Sequence, residues 1–530
     1  MQIGWCDICN VPLTGNSTCP LCGNSLRRIA AYGGELKPIF EKERQFYESV
    51  IKGNLGARFS ELLNVDLCFL SRAGEIIIDG RKIFSIRFDA MHSRWIPRVM
   101  RSFQRNPFEP EGSSMIDTLK ANQNHLKKRE EEAISFIQSV SSDIEKNSPV
   151  IVSFSGGKDS TVTLALAKRA GGNLTALFLN TTIELEETVQ YTKDFCEKIG
   201  VNIIEVTPDR DFISLARELG PPSRIMKWCC KTQKFGPLNR FIAETYPDGL
   251  LTFSGLRRSE SNIRRKFSRV QKNPKVPKQV LAFPILDWNS FEVWLYLKWR
   301  RVSYNPIYEL GYSRIGCWAC PEKSSRDSAM IRETHPALAK CLEDILRRFA
   351  QSRNITDIDD WINEGTWKQW KNKWQHSIEC TSTFCSADQS TKYTLEDSSL
   401  VDRISNFLRI FGNVRSGSVG TIIDGANSRI SIGKDWIRIV ADEPRVEAEI
   451  EKQIKRALNC VGCGACLGAC KKGAISIVGD CIEISNECTH CLECLRSNGI
   501  RMSCIALNYK PDIASISSKT QSTASSTAAV

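Results

Sequence analysis

Cysteines are the residues best placed to do chemistry in this chain, and their spacing sorts them. Cys6, Cys9, Cys19 and Cys22 form two Cys-x2-Cys knuckles nine residues apart, the spacing with which four thiolates enclose a tetrahedral zinc ion. So short a segment has almost no core of its own, so this metal is expected to build structure rather than to catalyse. Cys229 and Cys230 are adjacent, and a Cys317-x2-Cys320 pair follows far downstream. Cys460, Cys463, Cys466 and Cys470 then read Cys-x2-Cys-x2-Cys-x3-Cys, and Cys488, Cys491 and Cys494 repeat its first three members before Cys504. Of the 22 cysteines, only Cys68, Cys196, Cys341, Cys380, Cys385 and Cys481 stand outside these sets. In a long chain whose first residues show no export signal, such thiols point to metal or redox chemistry rather than disulfides.

The C-terminal pattern is similar to a bacterial-type two-cluster [4Fe-4S] ferredoxin module. The usual cross-over of the fourth ligand in that module implies that Cys470 serves the cluster of Cys488, Cys491 and Cys494. Cys504 would close the cluster of Cys460, Cys463 and Cys466, across a nine-residue gap where three is usual.

A second chemical motif is SFSGGKDS, in which Ser155, Gly156, Gly157, Lys158, Asp159 and Ser160 follow an apolar strand and open a helix. A glycine turn and a helix N-terminus aim backbone N–H groups at one point, which makes an anion cradle. It is not a Walker A loop, because Lys158 is followed by Asp rather than by Ser or Thr.

The loop resembles the pyrophosphate loop of the adenine nucleotide alpha hydrolase superfamily. The segments KWCCKTQKFGPLNRF, GLRRSES, FPILDWNSFEVWLYL and NPIYELGYSRIGCWAC occur in the order seen in adenylyl-sulfate and phosphoadenylyl-sulfate reductases, over residues 145 to about 325. LNTTIELEET is similar to that family's second nucleotide loop, with Asn180 where an acid is usual and Glu187 matching. The resemblance implies a third [4Fe-4S] cluster on Cys229, Cys230, Cys317 and Cys320. It also implies that Lys234 lies between cluster and substrate, and it makes Arg257, Arg258 and Arg314 candidates for holding sulfate or phosphate oxygens. Two departures stand out. Family reductases end in a tail whose cysteine attacks the sulfonyl sulfur and is released by thioredoxin, yet no Glu-Cys-Gly segment occurs here. Cys380 and Cys385, in a loop-like stretch, are the plausible substitutes. The SGGKDS loop is also whole, as in relatives that use ATP.

Around these motifs the elements can be laid out. At roughly 100 to 200 residues per domain, a chain of 530 residues holds about three to five units. The expected divisions are a zinc ribbon over 1–26, a small β-rich accessory domain over 27–120, the nucleotide-binding domain over 121–345, a helical and small α/β connecting region over 346–450, the ferredoxin domain over 451–510, and a disordered tail over 511–530. Asp79-Gly80 between apolar runs reads as a hairpin turn. Strands alternating with helical stretches from residue 150 onward predict an α/β fold, a doubly wound parallel sheet. Trp361, Trp367, Trp370 and Trp374, interleaved with lysines, read as a packed amphipathic helix more than a stacking surface for nucleic acid.

Composition bounds the function. Hydrophobic residues at 42% and charged residues at 25% are globular values, and the net charge of +12 favours anionic partners. No apolar run approaches a membrane span, so a cytoplasmic protein without a membrane partner is expected. The leading expectation is an oxidoreductase reducing adenylyl sulfate or its 3′-phosphorylated form to sulfite, fed by its own ferredoxin domain from an external donor such as ferredoxin or thioredoxin. The alternative is an ATP-using sulfurtransferase acting on tRNA or a small cofactor. It draws on the whole loop, the ribbon, and nine Lys/Arg from Arg257 to Lys278 against Glu260 alone. A non-enzymatic electron carrier would need no nucleotide loop.

Overall fold

The computed structural model describes residues 3–29, 35–142, 150–370, 380–418, 420–470, 472–478, 481–496, 504 and 506. They fall into two compact units that alternate along the chain. Met1–Glu205, Leu251–Gln271 and Val280–Lys368 make the first; Val206–Leu250, Lys272–Gln279 and Gln369–Val530 make the second. Trp374 and the tail expected to be disordered lie outside the described residues. No described helix is long and apolar enough to cross a membrane.

The first unit is built on a sheet of β1 (Val150–Ser153), β2 (Leu174–Leu179), β3 (Asn202–Val206), β4 (Leu250–Ser254), β5 (Val270–Lys272) and β6 (Gln279–Ala282). The order is β3-β2-β1-β4-β6-β5, and β1 pairs in parallel with both β2 and β4. Ile151, Val152, Ala176, Leu177 and Phe253 are buried, as strands covered by helices require. The helices Met115–Ser142, Lys158–Ala170, Glu186–Ile199 and Ser290–Trp299 add Ile137, Val162, Phe195 and Trp294 to the same core. The last of these helices is buried through Leu297, and Asn289 starts it: its side chain accepts from Glu292 N–H (2.9 Å) while Glu292 accepts from Asn289 N–H (2.7 Å). From β1 the chain runs outward through β2 and β3, then returns to the other side of β1 with β4. The carboxyl ends of β1 and β4 therefore flank a topological switch point, where open α/β sheets bind ligands.

Toward the N-terminus lie a three-stranded ribbon sheet, with Ile3–Cys6 between Val11–Thr14 and Arg27–Arg28, and a five-stranded antiparallel sheet running from Leu36–Pro38 to Arg94–Val99. Asp79 (φ 47°) and Gly80 (φ 69°) make the expected tight turn. The helix Met115–Ser142 runs through the division expected at residue 120. Trp367 packs with Leu346 and Ile362, and Lys368 Nζ donates to Lys323 O (3.1 Å). Both are packed inward, not arrayed as a stacking surface.

In the second unit, Cys380–Cys385 is not a loop. It is the edge strand of a six-stranded antiparallel sheet, paired with Ser390–Leu395. Polar Thr and Ser alternate there with no apolar face, which hides a strand from a hydrophobicity reading. The helices Val401–Leu408 and Pro444–Leu458 pack on this sheet, and one core joins Phe407, Ile439, Ile450 and Ile454 to Cys466, Ile482 and Cys494. The division expected at residue 450 thus falls inside a helix whose buried face belongs to the cysteine-rich segment's own core.

Candidate functional site

The glycine loop leaves β1 at the switch point. Gly156 has φ 70°, and a methyl group there would meet Thr188 and Thr192 at 3.0 and 3.1 Å, so both backbone and space require glycine. Ser155 N–H donates to Ser160 Oγ (3.2 Å), and Lys158 N–H, the first of its helix, donates to Tyr308 Oη (3.0 Å). From the β4 side, Gly255 comes so close that a Cβ would lie 2.6 Å from the Asp159 backbone. The two strand ends are thus locked together.

Charge at this point is closed within the protein. Asp159 accepts from Lys158 Nζ (2.7 Å) and Arg257 Nε (2.6 Å), and Arg257 also reaches Glu35 (2.9 Å). Burial alone would raise the Asp159 carboxyl; the Arg257 and Lys158 cations overcome this and hold it at about 2. Arg257 is 1% exposed. The resemblance makes it a candidate for holding sulfate or phosphate oxygens, whereas the structure spends its guanidinium on two carboxylates, one of them from the distant Glu35. Arg258 bonds Asp287 (2.6 Å) at a part-exposed position, and Arg314 is exposed. Glu187 pairs with His335 Nε2 (3.0 Å). Tyr308 and Glu35 were not singled out as site residues, although Tyr308 lies in the NPIYELGY segment.

Cys317 and Cys320 belong to the first unit, where Cys317 Sγ lies 3.7 Å from Glu184 Oε1 and 3.6 Å from Thr181 Oγ1. Cys229 and Cys230 belong to the second. Trp228, fully buried against Phe212 at 5.4 Å, anchors their short helix, which opens into a π turn over Lys231–Phe235. A hydrogen bond from Cys229, then the charges of Lys234, Lys275 and Lys227, draw the Cys230 thiol down to about 6 against the effect of burial. Lys234 is exposed.

The ribbon cysteines fit a single metal ion. Cys6 and Cys22 sulfurs are 3.4 Å apart, Cys9 and Cys19 3.8 Å, and all four ligand atoms lie within 4.8 Å of one another. Metal–sulfur bonds of about 2.3 Å give a tetrahedron edge of about 3.8 Å. Cys9 N–H also points to Cys6 Sγ (3.4 Å), and bonds from Asn24 bring Cys22 down to about 6.

The C-terminal thiols sort into two groups by the charges they feel. Burial first, then Cys504 and Cys460, push Cys463 up to about 12, and Cys466 feels Cys460, Cys504 and Cys463. Cys494, raised to about 11 by burial, feels Cys488, Cys470 and Cys491 instead. Gly462 N–H points to Cys460 Sγ (3.5 Å) and Ala474 N–H to Cys470 Sγ (3.2 Å). Arg456, 1% exposed, donates to Cys494 O (2.9 Å) and lies near Cys504, Cys466, Cys494 and Cys460. Among the described residues no carboxylate meets it. A buried cation ringed by thiols fits anionic metal–thiolate centres. Cys385 is half-buried on its edge strand beside Asp388; of Cys380 only the backbone is described.

Comparison with known proteins agrees with this architecture. Residues 149–323 match the phosphoadenosine phosphosulfate reductase domain. An uncharacterised protein of Methanocaldococcus jannaschii is 27% identical, over 71% of this chain and 97% of its own length. A second from that organism is 31% identical over 48% of this chain and 60% of its own length, so the chain spans well under two thirds of it. An adenosine 5'-phosphosulfate reductase of Bacillus mycoides is 27% identical over 33% of this chain and 74% of that enzyme. What the comparisons show is a phosphoadenosine phosphosulfate reductase domain over residues 149–323, the stretch that carries the glycine loop and the Cys229–Cys230 pair.

Proposed function

We propose that the chain is an iron–sulfur oxidoreductase that converts adenylyl sulfate, or its 3′-phosphorylated form, to sulfite and the nucleotide, drawing electrons through its own ferredoxin-type module. The observation that carries this is the glycine cradle at the switch point of a sheet whose residues 149–323 match the reductase domain, a stretch that also contains Cys229 and Cys230. Backbone N–H groups of the loop bind the nucleotide phosphate. Arg258 and Arg314, the arginines outside the buried network, take the sulfonyl oxygens, and Lys234 neutralises charge as the sulfur–oxygen bond breaks. Two electrons bring sulfur to the sulfite level, and the nucleotide phosphate keeps the bridging oxygen.

This reading assigns a zinc ion to Cys6, Cys9, Cys19 and Cys22. It assigns [4Fe-4S] clusters to Cys229, Cys230, Cys317 and Cys320, to Cys460, Cys463, Cys466 and Cys504, and to Cys470, Cys488, Cys491 and Cys494. Bound there, the clusters supply one-electron transfer. Cys380 or Cys385 as nucleophile, with thioredoxin releasing the sulfur, is the thiol variant of the same reaction. The whole SGGKDS loop favours one second reading, ATP-dependent sulfur transfer to tRNA or a small cofactor.

Anaerobic incubation of the reconstituted protein with each sulfonucleotide and with ATP separates the two. Sulfite without pyrophosphate is expected. Pyrophosphate without sulfite would replace the first reading with the second.

A further inference from the structure

Within the second unit, the helix that follows Cys229 and Cys230 meets the cysteine-rich segment backbone to backbone. A Cβ on Gly236 would lie 2.0 Å from Cys463 O and 3.0 Å from Cys463 C. The partner segment is trimmed in the same way. A Cβ on Gly468 would lie 2.6 Å from Asn239 Oδ1, and one on Gly464 3.2 Å from Arg240 Cβ. Glycine on both sides removes the side-chain layer that normally separates packed backbones. Asn239 holds the helix start in place, donating from Nδ2 to Phe235 O (2.8 Å) and Lys275 O (3.0 Å).

Lys231 directly follows Cys230. It sits in the π turn, a distortion often found at functional sites. The second C-terminal set has a different outlook: Cys494 is buried but Cys491 is exposed, whereas no cysteine of the first set is exposed, Cys463 lying under Gly236 and Cys466 and Cys504 being buried.

From this contact and this asymmetry we infer that the set Cys460, Cys463, Cys466 and Cys504 is the electron exit toward Cys229–Cys230, and that Gly236 is a positioning residue for that hand-off. The set containing exposed Cys491 is the entry port. The inference rests on the iron–sulfur oxidoreductase reading above. Each hand-off moves one electron from the centre held by the first set, which is oxidised, to the centre held by Cys229 and Cys230, which is reduced. Two hand-offs complete sulfite formation, and a reduced one-electron donor of the ferredoxin or viologen class replaces both electrons. Gly236 works through distance, since electron transfer falls steeply with separation.

The test uses the full chain, reconstituted anaerobically, reduced stepwise with dithionite and followed by electron paramagnetic resonance. The wild type is expected to show magnetic coupling that disappears in Cys230→Ser. Gly236→Val should keep full iron but lose that coupling, and should lose viologen-driven reduction of the Cys229–Cys230 centre. Gly468→Ala, whose methyl would meet the Asn239 side chain first, at 2.6 Å, should weaken the same coupling with less strain; it carries the test if Gly236→Val cannot hold its iron. Gly53→Ala, whose methyl meets open space, is the control. Unchanged coupling and reduction rate in iron-replete Gly236→Val, or unchanged coupling in Gly468→Ala, would overturn the assignment. Coupling lost in Gly236→Val by a protein that makes no sulfite would leave the contact intact as an electron path and sink the substrate reading instead.

Discussion

Two arginines, each 1% exposed, are closed off in opposite ways. Arg257, at the nucleotide loop, is answered by the protein itself through Asp159 and Glu35. Among the described residues Arg456, in the cysteine-rich core, meets a backbone carbonyl, Gln453, the Phe407 ring and the surrounding thiols, and no carboxylate. Leaving a buried cation without a counter-charge costs several kcal/mol. The first region is therefore organised without a ligand, whereas the second leaves its cation to be answered by an anionic centre among the thiols. One chain holds both designs: a glycine loop whose charges the protein closes, and a cysteine-rich core whose buried cation it does not.

Removing the metals should separate the regions most sharply. With iron chelated, Ile404, Phe407, Ile450 and Ile454 should lose hydrogen-exchange protection while the helix Lys158–Ala170 keeps it, because cluster binding is folding energy for that core. Equal protection in both would erase the contrast. Next in size, Arg257→Leu leaves Asp159 and Glu35 without their shared cation and should cost about 3–5 kcal/mol, read as a lower denaturation midpoint together with lost nucleotide binding by calorimetry.

A smaller effect is set by acid. Asp159 is held at about 2, below the value of about 3.9 for an unfolded aspartate. Its contribution of about 2 kcal/mol is thus fully present above about pH 4 and is lost as pH falls through about 2. Asp159→Asn should flatten that acid limb in a urea titration, whatever its effect at neutral pH. The smallest change is expected from Arg456→Leu. The metal-free form should gain about 1 kcal/mol or more, since an apolar side chain suits that core better than an unanswered cation. The iron-loaded form should show lower reduction potentials. A loss of stability in the metal-free variant would mean that the thiols alone satisfy Arg456.

Much of this arrangement is written in local spacing. The run VIVSF followed by SGGKDS specifies a strand, a glycine turn and a helix start, and the model places them at the centre of the sheet. Asp79-Gly80 makes its turn, and the ribbon spacing brings four sulfurs together. Contacts between distant segments are not written there. Glu35 meets Arg257 across more than two hundred residues, and no local pattern distinguishes that arginine from Arg258. Cys380–Cys385 hides its strand because Thr and Ser present no apolar face. Gly236 reads locally as an ordinary helix-start residue, and only the carbonyl of Cys463 explains why it has no side chain.

The contact between Gly236 and Cys463 also imposes an order in time. Their positions lie more than two hundred residues apart, so at about 5–20 residues per second the first waits roughly 10–45 s for the second to be synthesised. During that interval the segment Val206–Leu250 exists without the rest of its unit. The middle of this protein is finished by its end, and a ribosome stalled before residue 460 would present Cys229 and Cys230 on a helix with nothing yet to close over it.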